Sequence, residues 1–317
     1  MTSALAAEAA AFLKGKIRRT PVDPSPALSK RYRVPVWLKL ESLQITGSFK
    51  LRGAWFSMSR LNPAERQAGV AACSAGNHGK AVAHAAREMG VPATIYVPSS
   101  VDESKHRGML ELGAEVMLSA FPGYDDTLEW AEAEARRAGL TFVSAFDDAA
   151  IMAGNGGSLA LEILEDLPEV RTFVVPVGGG GMAAGVAVTA KDRYRDAAIV
   201  GCQLEASPAL KMSLDRGHAV TRLPAVETLA GGLEGGIGAQ PFDLLRTRVD
   251  RVALLTEAEI YQAVRWMLEH HQHLMEPSAA VTVAALLSGK VGPLTSPAVV
   301  VVSGRNLSVT ALRRILA

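Results

Sequence analysis

The segment SLQITGSFKLRGA (42–54) contains one lysine whose position raises a question of chemistry. Lys50 follows a Gly-Ser-Phe and stands between a predicted strand and a predicted helix. Two interpretations are open at this point. Lys50 is either a solvated lysine at a helix start, or an amine held at the floor of a cleft for covalent chemistry.

Four glycines follow a predicted strand and precede a predicted helix in VVPVGGGGMAAG (174–185). Glycine lets the backbone approach an anion closely, and a helix N-terminus adds unpaired N–H groups and a favourable dipole. We therefore expect Gly178 to Gly181 to bind a phosphate group. The alternatives are a tight strand-to-helix turn and, because Gly178-x-Gly180-x-x-Ala183 matches a loose fingerprint, a dinucleotide site.

Two more predicted strands end in polar residues. In ACSAGNHGKAVAHAA (72–86), the residues Ser74 to His78 would present backbone N–H groups at a helix N-terminus, which suits a carboxylate, and Asn77 adds a side-chain amide. In VVVVSGRN (299–306), a buried strand ends at Ser303, whose hydroxyl can bond a group at the strand tip. Taken alone, the first motif equally fits an ordinary capped helix, and the second fits a Ser-Gly turn.

Together these motifs supply an amine, a phosphate cradle, a carboxylate cradle and a strand-end hydroxyl. Pyridoxal phosphate and an amino acid require such groups, because a lysine holds the cofactor as a Schiff base while backbone amides hold its phosphate. The combination favours the covalent interpretation of Lys50.

The chain resembles the tryptophan-synthase-β-like family of pyridoxal-phosphate enzymes (fold type II), on its threonine dehydratase and serine racemase branch. The matching segments occur in family order and cover nearly the whole chain. They are RTPV (19–22), LKLESLQITGSFKLRGA (38–54), SAGNHGKAVA (74–83), AFDDAAIMAGNGG (145–157), PVGGGGMAAG (176–185), MEPSAAV (275–281) and VSGRN (302–306).

The resemblance implies a role for each residue of the set. Lys50 is expected to form the Schiff base and to act as general base at the substrate Cα. The residues expected to contact the cofactor are Phe49, Lys50, Asn77, Gly178, Gly179, Gly180, Gly181, Met182 and Ser303. Those expected to bind the substrate are Ser74, Ala75, Gly76, Asn77 and His78. Glu276 is expected near the cofactor.

The resemblance also implies an activity. Ser303 would face the pyridine nitrogen, and a hydroxyl does not hold that nitrogen protonated, which favours elimination over transamination. Ala75 stands where the serine racemase branch has a second proton-transferring serine, so we expect a dehydratase. The predicted reaction is α,β-elimination of a 3-hydroxy amino acid such as L-threonine or L-serine, giving a 2-oxo acid and ammonia.

Several alternatives stay open. Within the family they are a bulkier or acidic substrate, such as hydroxyaspartate or phenylserine, and an amino-acid racemase. Outside the family, the glycine turn would suit a nucleotide-binding oxidoreductase.

The sequence departs from the family pattern at a cation site. In EASPALK (205–211), Glu205 and Ala209 match, but Lys211 replaces the expected acid. An ammonium there could neutralise Glu205 directly, so we predict this ion pair and no metal.

Two other departures lie in the cofactor motifs. Asn155 replaces the usual Gln, and Arg305 replaces a glycine. Arg305 either contacts a second carboxylate on the substrate or, the interpretation we favour, points into solvent or forms a structural ion pair.

Two other motifs are better explained as structural. The histidines of HHQH (270–273) fit a helix C-terminus better than a metal site, because no cysteine or carboxylate pattern completes a ligand set. Cys73 has no evident paired base and is expected to be a small buried residue.

The elements that must position these groups alternate along the chain. Apolar strands such as 34–41, 69–74, 141–146, 172–178 and 298–304 alternate with helical stretches, which predicts parallel sheets covered on both faces. We expect an α/β protein of two doubly wound lobes with the cofactor in the cleft between them. By the resemblance, residues 1–65 and 150–317 form a large cofactor-binding domain, and residues 66–149 a small domain inserted in it.

Composition excludes other classes of function. The formal net charge is +1, so there is no basic excess to indicate a nucleic-acid partner. The sequence has no apolar run of about 18 residues, so no membrane span is expected. The two cysteines lie in apolar runs, which indicates buried free thiols and a reducing cytoplasm. The expected partner is a small amino-acid substrate, and the family suggests a homodimer.

Overall fold

The structure is a computed structural model, which describes residues 1–99, 101 and 103–317. The strands are β1 (Val22–Pro24), β2 (Val36–Leu40), β3 (Val70–Cys73), β4 (Ala93–Val97), β5 (Glu115–Leu118), β6 (Thr141–Phe142), β7 (Thr172–Pro176), β8 (Ala198–Leu204), β9 (Arg251–Leu255) and β10 (Ala298–Val302). They form two sheets, and the prediction of an α/β fold with parallel-sheet cores is confirmed.

The helices lie between the strands and cover both sheets. They are α1 (Ser3–Leu13), α2 (Pro26–Tyr32), α3 (Lys50–Ser59), α4 (Pro63–Ala68), α5 (Asn77–Met89), α6 (Glu103–Leu110), α7 (Tyr124–Arg137), α8 (Ala149–Met152), α9 (Ser158–Asp166), α10 (Gly181–Arg193), α11 (Ala209–Arg216), α12 (Ala239–Leu245), α13 (Glu257–His271), α14 (Pro277–Leu287) and α15 (Val309–Leu316). A 3₁₀ turn spans Glu41–Leu43, and a π-helical turn spans Ala153–Gly157.

The larger sheet has six strands in the order β1-β2-β10-β7-β8-β9. All its pairs are parallel except β1 with β2, which is antiparallel. Alternate residues of β10 pack on opposite faces: Val300 and Val302 lie in one apolar cluster with α13 and α14, and Val299 and Val301 in another with α9 and α10. Both faces are therefore buried, as parallel strands require.

The smaller sheet has four parallel strands in the order β5-β4-β3-β6. Val70 and Ala72 of β3 pack with α3 and α5, while Ala71 and Cys73 pack with α7 on the other face. These strands lie within the predicted small domain, whose boundaries at 66 and 149 stay a prediction. In the part of the chain that the structure describes, no helix is long and apolar enough to cross a membrane.

Candidate active site

Lys50 is the first residue of α3, and it is partly buried. Its Nζ donates a hydrogen bond to the Ala145 carbonyl at 2.7 Å and lies 5.3 Å from the ring centroid of Phe49. Burial disfavours the charged ammonium and lowers the pKa of Lys50 to about 8. A solvated lysine at a helix start would have neither feature, so the geometry fits an amine prepared for covalent chemistry.

The end of β10 fixes the residues that precede Lys50. Ser48 forms an isolated bridge with Gly304, and the amide of Phe49 donates to the Ser303 carbonyl at 3.1 Å. Gly47 has a φ of +79°, and a side chain there would approach Asn306 to 2.6 Å. Ser303 is buried at the tip of its strand, next to the start of the Lys50 helix.

The glycine turn lies between β7 and α10. Gly180 has a φ of +88° and precedes the first residue of α10, so no side chain at this position caps the helix. A side chain on Gly179 would overlap the Phe146 ring, and one on Gly178 would overlap the Gly232 carbonyl. The turn must therefore be glycine, and the first amides of a 13-residue helix point out of it.

Asn77 begins α5 and bonds residues at the start of α14 and after β10. Its Nδ2 donates to Glu276 Oε1 at 2.6 Å, and its Oδ1 accepts from Asn306 Nδ2 at 2.6 Å. Lys80 donates to the Oδ1 of the same Asn306 at 3.3 Å. These two bonds fix the orientation of the Asn77 carboxamide. A ligand hydroxyl could therefore form a hydrogen bond with it in a defined direction.

The loop before Asn77 is open at its start and buried at its end. Ser74, Ala75 and Gly76 are partly exposed, and the Ser74 Oγ accepts a bond from the Gly76 amide at 3.1 Å. His78 is 2% exposed, and its Nε2 lies 2.9 Å from the Val143 carbonyl, so this nitrogen carries the proton. Burial and the nearby Lys50 charge lower the pKa of His78 to about 3. The imidazole is therefore neutral and faces the interior.

The predicted ion pair between Lys211 and Glu205 is wrong. The Lys211 ammonium lies 2.6 and 2.7 Å from the two carboxylate oxygens of Asp215, one helical turn further along α11. Glu205 is exposed. No group of three or more His, Cys, Asp or Glu residues suited to a metal occurs among the described residues, and the absence of a metal stays a prediction.

The structural interpretations of the histidines fit their contacts. His270 stacks on Trp266 with 4.6 Å between the ring centroids, at the C-terminal end of α13. His271 and His273 bond Ser25 and Ser42 at 3.0 and 2.7 Å.

Cys73 and Arg305 also have the surroundings that we favoured. Cys73 is a buried free thiol, and burial raises its pKa to about 12, so it is no nucleophile near neutral pH. Arg305 is exposed, as the solvent-facing interpretation requires.

Comparison with known proteins identifies the family. The profile described as "Pyridoxal-phosphate dependent enzyme" matches residues 13–304. The chain belongs to this family. This pyridoxal-phosphate enzyme is 39% identical to the L-threonine ammonia-lyase of Thermotoga maritima, over 98% of its own length and 76% of the relative's.

Solved structures agree with this family of enzymes. The maize serine racemase superposes with a TM-score of 0.92 at 28% identity, and the match covers 99% of this chain and 96% of the racemase. The processed threonine deaminase isoform 2 of Solanum lycopersicum superposes with a TM-score of 0.90 at 28% identity, covering 99% and 92% of the two chains.

The site of this pyridoxal-phosphate enzyme has the donors that its cofactor needs. The amides at the start of α10 suit the phosphate, and Lys50 supplies an amine whose pKa is lowered to about 8. The cofactor is pyridoxal phosphate. The alternative of a nucleotide-binding oxidoreductase is therefore excluded for this chain.

Sequence reasoning missed several residues around the site. Ala145 bonds the Lys50 amine, and Phe146 packs on the glycine turn, yet both lie in a segment predicted as strand. Asn306 orients Asn77 and lies in the VSGRN motif, from which roles were predicted for Ser303 and Arg305 but not for Asn306.

A buried charge cluster behind Lys50 was also missed. Arg52 is fully buried and forms paired hydrogen bonds with Glu41 at 2.8 and 2.8 Å and with Glu162 at 2.8 and 2.7 Å. Lys39, also fully buried, donates to Glu162 at 2.8 Å. Its members come from β2, the 3₁₀ turn, α3 and α9, so the cluster joins four elements.

Proposed function

We propose that this enzyme dehydrates a 3-hydroxy amino acid, such as L-threonine or L-serine, to a 2-oxo acid and ammonia. The observation that carries the proposal is the Lys50 amine, which bonds the Ala145 carbonyl and has a lowered pKa, together with Ala75 at the position where the racemase branch has a second proton donor. Proton removal from one face of Cα supports elimination, whereas racemisation needs a second group on the other face. Relatives named L-threonine ammonia-lyase support the same reaction.

The residues would act as follows. Lys50 would attach the cofactor through its amine and, once displaced by the substrate amino group, would remove the Cα proton. When bound, the cofactor supplies the electron sink that makes this proton acidic. Amides of Gly178, Gly179, Gly180, Gly181 and Met182 would hold its phosphate. Phe49 would pack on its ring, and Ser303 would face its ring nitrogen.

The loop at the start of α5 would hold the substrate. The loop from Ser74 to His78 would bind the substrate carboxylate through the amides of Ala75, Asn77 and His78, since it leads into an uncapped helix N-terminus after Gly76. The Ser74 amide donates to the Tyr96 carbonyl and the Gly76 amide to the Ser74 Oγ. Asn77 would contact the cofactor hydroxyl, because Glu276 and Asn306 fix its orientation.

We also propose a cytoplasmic homodimer, in which the domain boundaries follow the two sheets. The two buried free thiols support a reducing compartment. Light scattering of the purified enzyme would test the dimer, which the family suggests.

The experiment is 2-oxo acid release from both enantiomers of serine and threonine, with hydroxyaspartate and phenylserine, and with chiral analysis of the remaining substrate. Rapid release from L-threonine or L-serine is the expected result. Turnover of only a bulkier or acidic substrate would change the substrate class. Racemised substrate without 2-oxo acid would contradict the inference drawn from Ala75.

A further inference from the structure

The first turn of α3 needs a hydrogen-bond acceptor from outside the helix. The first four amides of a helix have no acceptor within it, and Phe49, which precedes Lys50, has no polar side chain to cap them. The amide of Arg52 bonds the Phe49 carbonyl at 3.0 Å. The amide of Gly53 instead donates to the Oδ1 of Asn155 at 2.8 Å.

Asn155 is packed tightly against the same turn. It is 1% exposed, and a side chain on Gly53 would lie 2.6 Å from its carboxamide carbon. A side chain on Gly154 would likewise lie 2.6 Å from the Gly53 Cα. A buried amide without an acceptor costs about 1–3 kcal/mol, so this bond matters to the start of the helix.

The π-helical turn that carries Asn155 also touches the helix after the glycine turn. A side chain on Gly156 would overlap the Met182 carbonyl, and one on Gly185 would overlap the Met152 carbonyl. This wide turn therefore lies between α3, which begins at Lys50, and α10, which begins at the phosphate cradle. π-Helical turns are rare and occur often at functional sites.

We propose that Asn155 is a positioning residue, whose carboxamide holds the first turn of α3 and so places the Lys50 amine relative to the amides at the start of α10. The inference rests on the proposed role of Lys50. Without the bond, the first turn unwinds, and the amine leaves the Ala145 carbonyl and becomes hydrated. The pKa of Lys50 then rises towards its ordinary value of 10.5, because the burial that lowers it is lost.

The test labels the cofactor-free protein with acetic anhydride over a range of pH and follows Lys50 by peptide mass spectrometry. Only the neutral amine reacts, so the midpoint reports its pKa. In N155S the hydroxyl is too short to reach the Gly53 amide, and the midpoint should rise by at least about one pH unit from the wild-type value near 8. N155Q restores an acceptor and should restore the midpoint.

A second readout uses the cofactor. Attachment of pyridoxal phosphate to Lys50, trapped with borohydride, should be at least about tenfold slower in N155S, a change of roughly 1.4 kcal/mol. S213A is the matched control. Ser213 lies on α11, and its buried hydroxyl also accepts a hydrogen bond from a backbone amide, that of Val220 at 2.8 Å. S213A should lower the stability of the fold without changing the midpoint of Lys50 labelling or the rate of cofactor attachment.

An unchanged midpoint and attachment rate in N155S would overturn the inference, whatever the loss of stability. Should N155S not fold, hydrogen exchange in the wild type decides, because a Gly53 amide that exchanges as fast as an open loop contradicts the bond. Cofactor trapped on another lysine would contradict the proposed role of Lys50 instead. The midpoint of Lys50 labelling would still decide the role of Asn155.

Discussion

The residue that governs the site is Lys50, and its chemistry follows from how it is buried. Its amine bonds a backbone carbonyl, which accepts a hydrogen bond from either the ammonium or the neutral amine without favouring the charge as a carboxylate would. Burial lowers the pKa of Lys50 to about 8, so a substantial neutral fraction exists near physiological pH.

We expect Lys50→Ala to remove turnover. A positioned general base contributes about 10²–10⁴-fold, and the variant loses the covalent attachment as well. Steady-state 2-oxo acid release measures the effect. Lys191→Ala is the control, because that lysine pairs with Asp250 at 3.0 Å at the far end of α10 and should leave turnover unchanged. Substantial turnover by the Lys50 variant would contradict the assignment.

For single residues, the sequence predicts which side chains take part in the chemistry better than it predicts which side chains they contact. Lys50 and the glycines lie in contiguous motifs, so their setting could be expected from the chain alone. Lys211 shows the limit: its long side chain pairs with Asp215 at the i+4 position of its own helix, a local contact that we overlooked. Arg52 could not be placed at all, because its partner Glu162 is distant in sequence.

Among the elements, the turn between β7 and α10 is the most constrained by backbone geometry. Gly180 adopts a φ that other residues avoid, and its neighbours leave no room for a side chain. An added Cβ would lie 2.9 Å from Pro241 and 3.0 Å from Ile237. Any substitution there moves the amides that face the phosphate.

Gly180→Ala should weaken pyridoxal phosphate binding by at least about tenfold, since left-handed backbone costs an L-residue about 1–2 kcal/mol and the contacts add to this. Gly217→Ala is the matched control, because Gly217 has a φ of +76° with no atom within 4 Å of an added Cβ. It should lower stability and leave cofactor affinity unchanged. Equal affinity loss in both variants, by absorbance titration, would refute the local explanation.

Strand prediction succeeded where apolar runs are long. Residues 298–304 were expected to be a strand, and β10 is Ala298–Val302. The strand expected over 141–146 ends at Phe142, because the chain leaves the sheet there so that Ala145 and Phe146 reach the site. β1 and β9 were missed, since one is three residues long and the other begins with an arginine. Apart from its glycines, nothing in the sequence of residues 153–157 predicted a π-helical turn.

For the whole molecule, the charge cluster around Arg52 matters because it buries the Arg52 and Lys39 side chains completely inside the core. Removing one member of a buried ion pair leaves its partner charged and unpaired, which costs about 3–5 kcal/mol. The cluster joins four elements, so such a loss would affect the entire fold.

Arg52→Met should therefore lower the free energy of unfolding by about 3–5 kcal/mol, measured in urea. Arg314→Met removes an exposed pair with Glu227 at 3.1 Å and should change it by no more than about 1 kcal/mol. If both variants lost the same small amount, the cluster would contribute nothing special to stability.

Stability should also depend on pH through Glu162. Burial alone would raise its pKa, but hydrogen bonds from Arg52 and the charge of Lys39 outweigh burial, so the pKa lies below the ordinary 4.5. A carboxyl with a lowered pKa stabilises the fold fully above pH 4.5 and loses this contribution as the pH falls through its folded value. Urea denaturation between pH 3 and 7 should show this loss in the wild type and a smaller one in Glu162→Gln.

The position of β10 has a consequence for how the enzyme is made. This last strand lies inside the large sheet, between β2 and β7. On the ribosome, β2 therefore emerges long before its neighbour, whereas β3 to β6 are consecutive and can pair early. We expect the small sheet to form during synthesis and the large sheet only after β10 is complete. Because β10 holds the residues before Lys50, capture of the cofactor would be among the last steps of maturation.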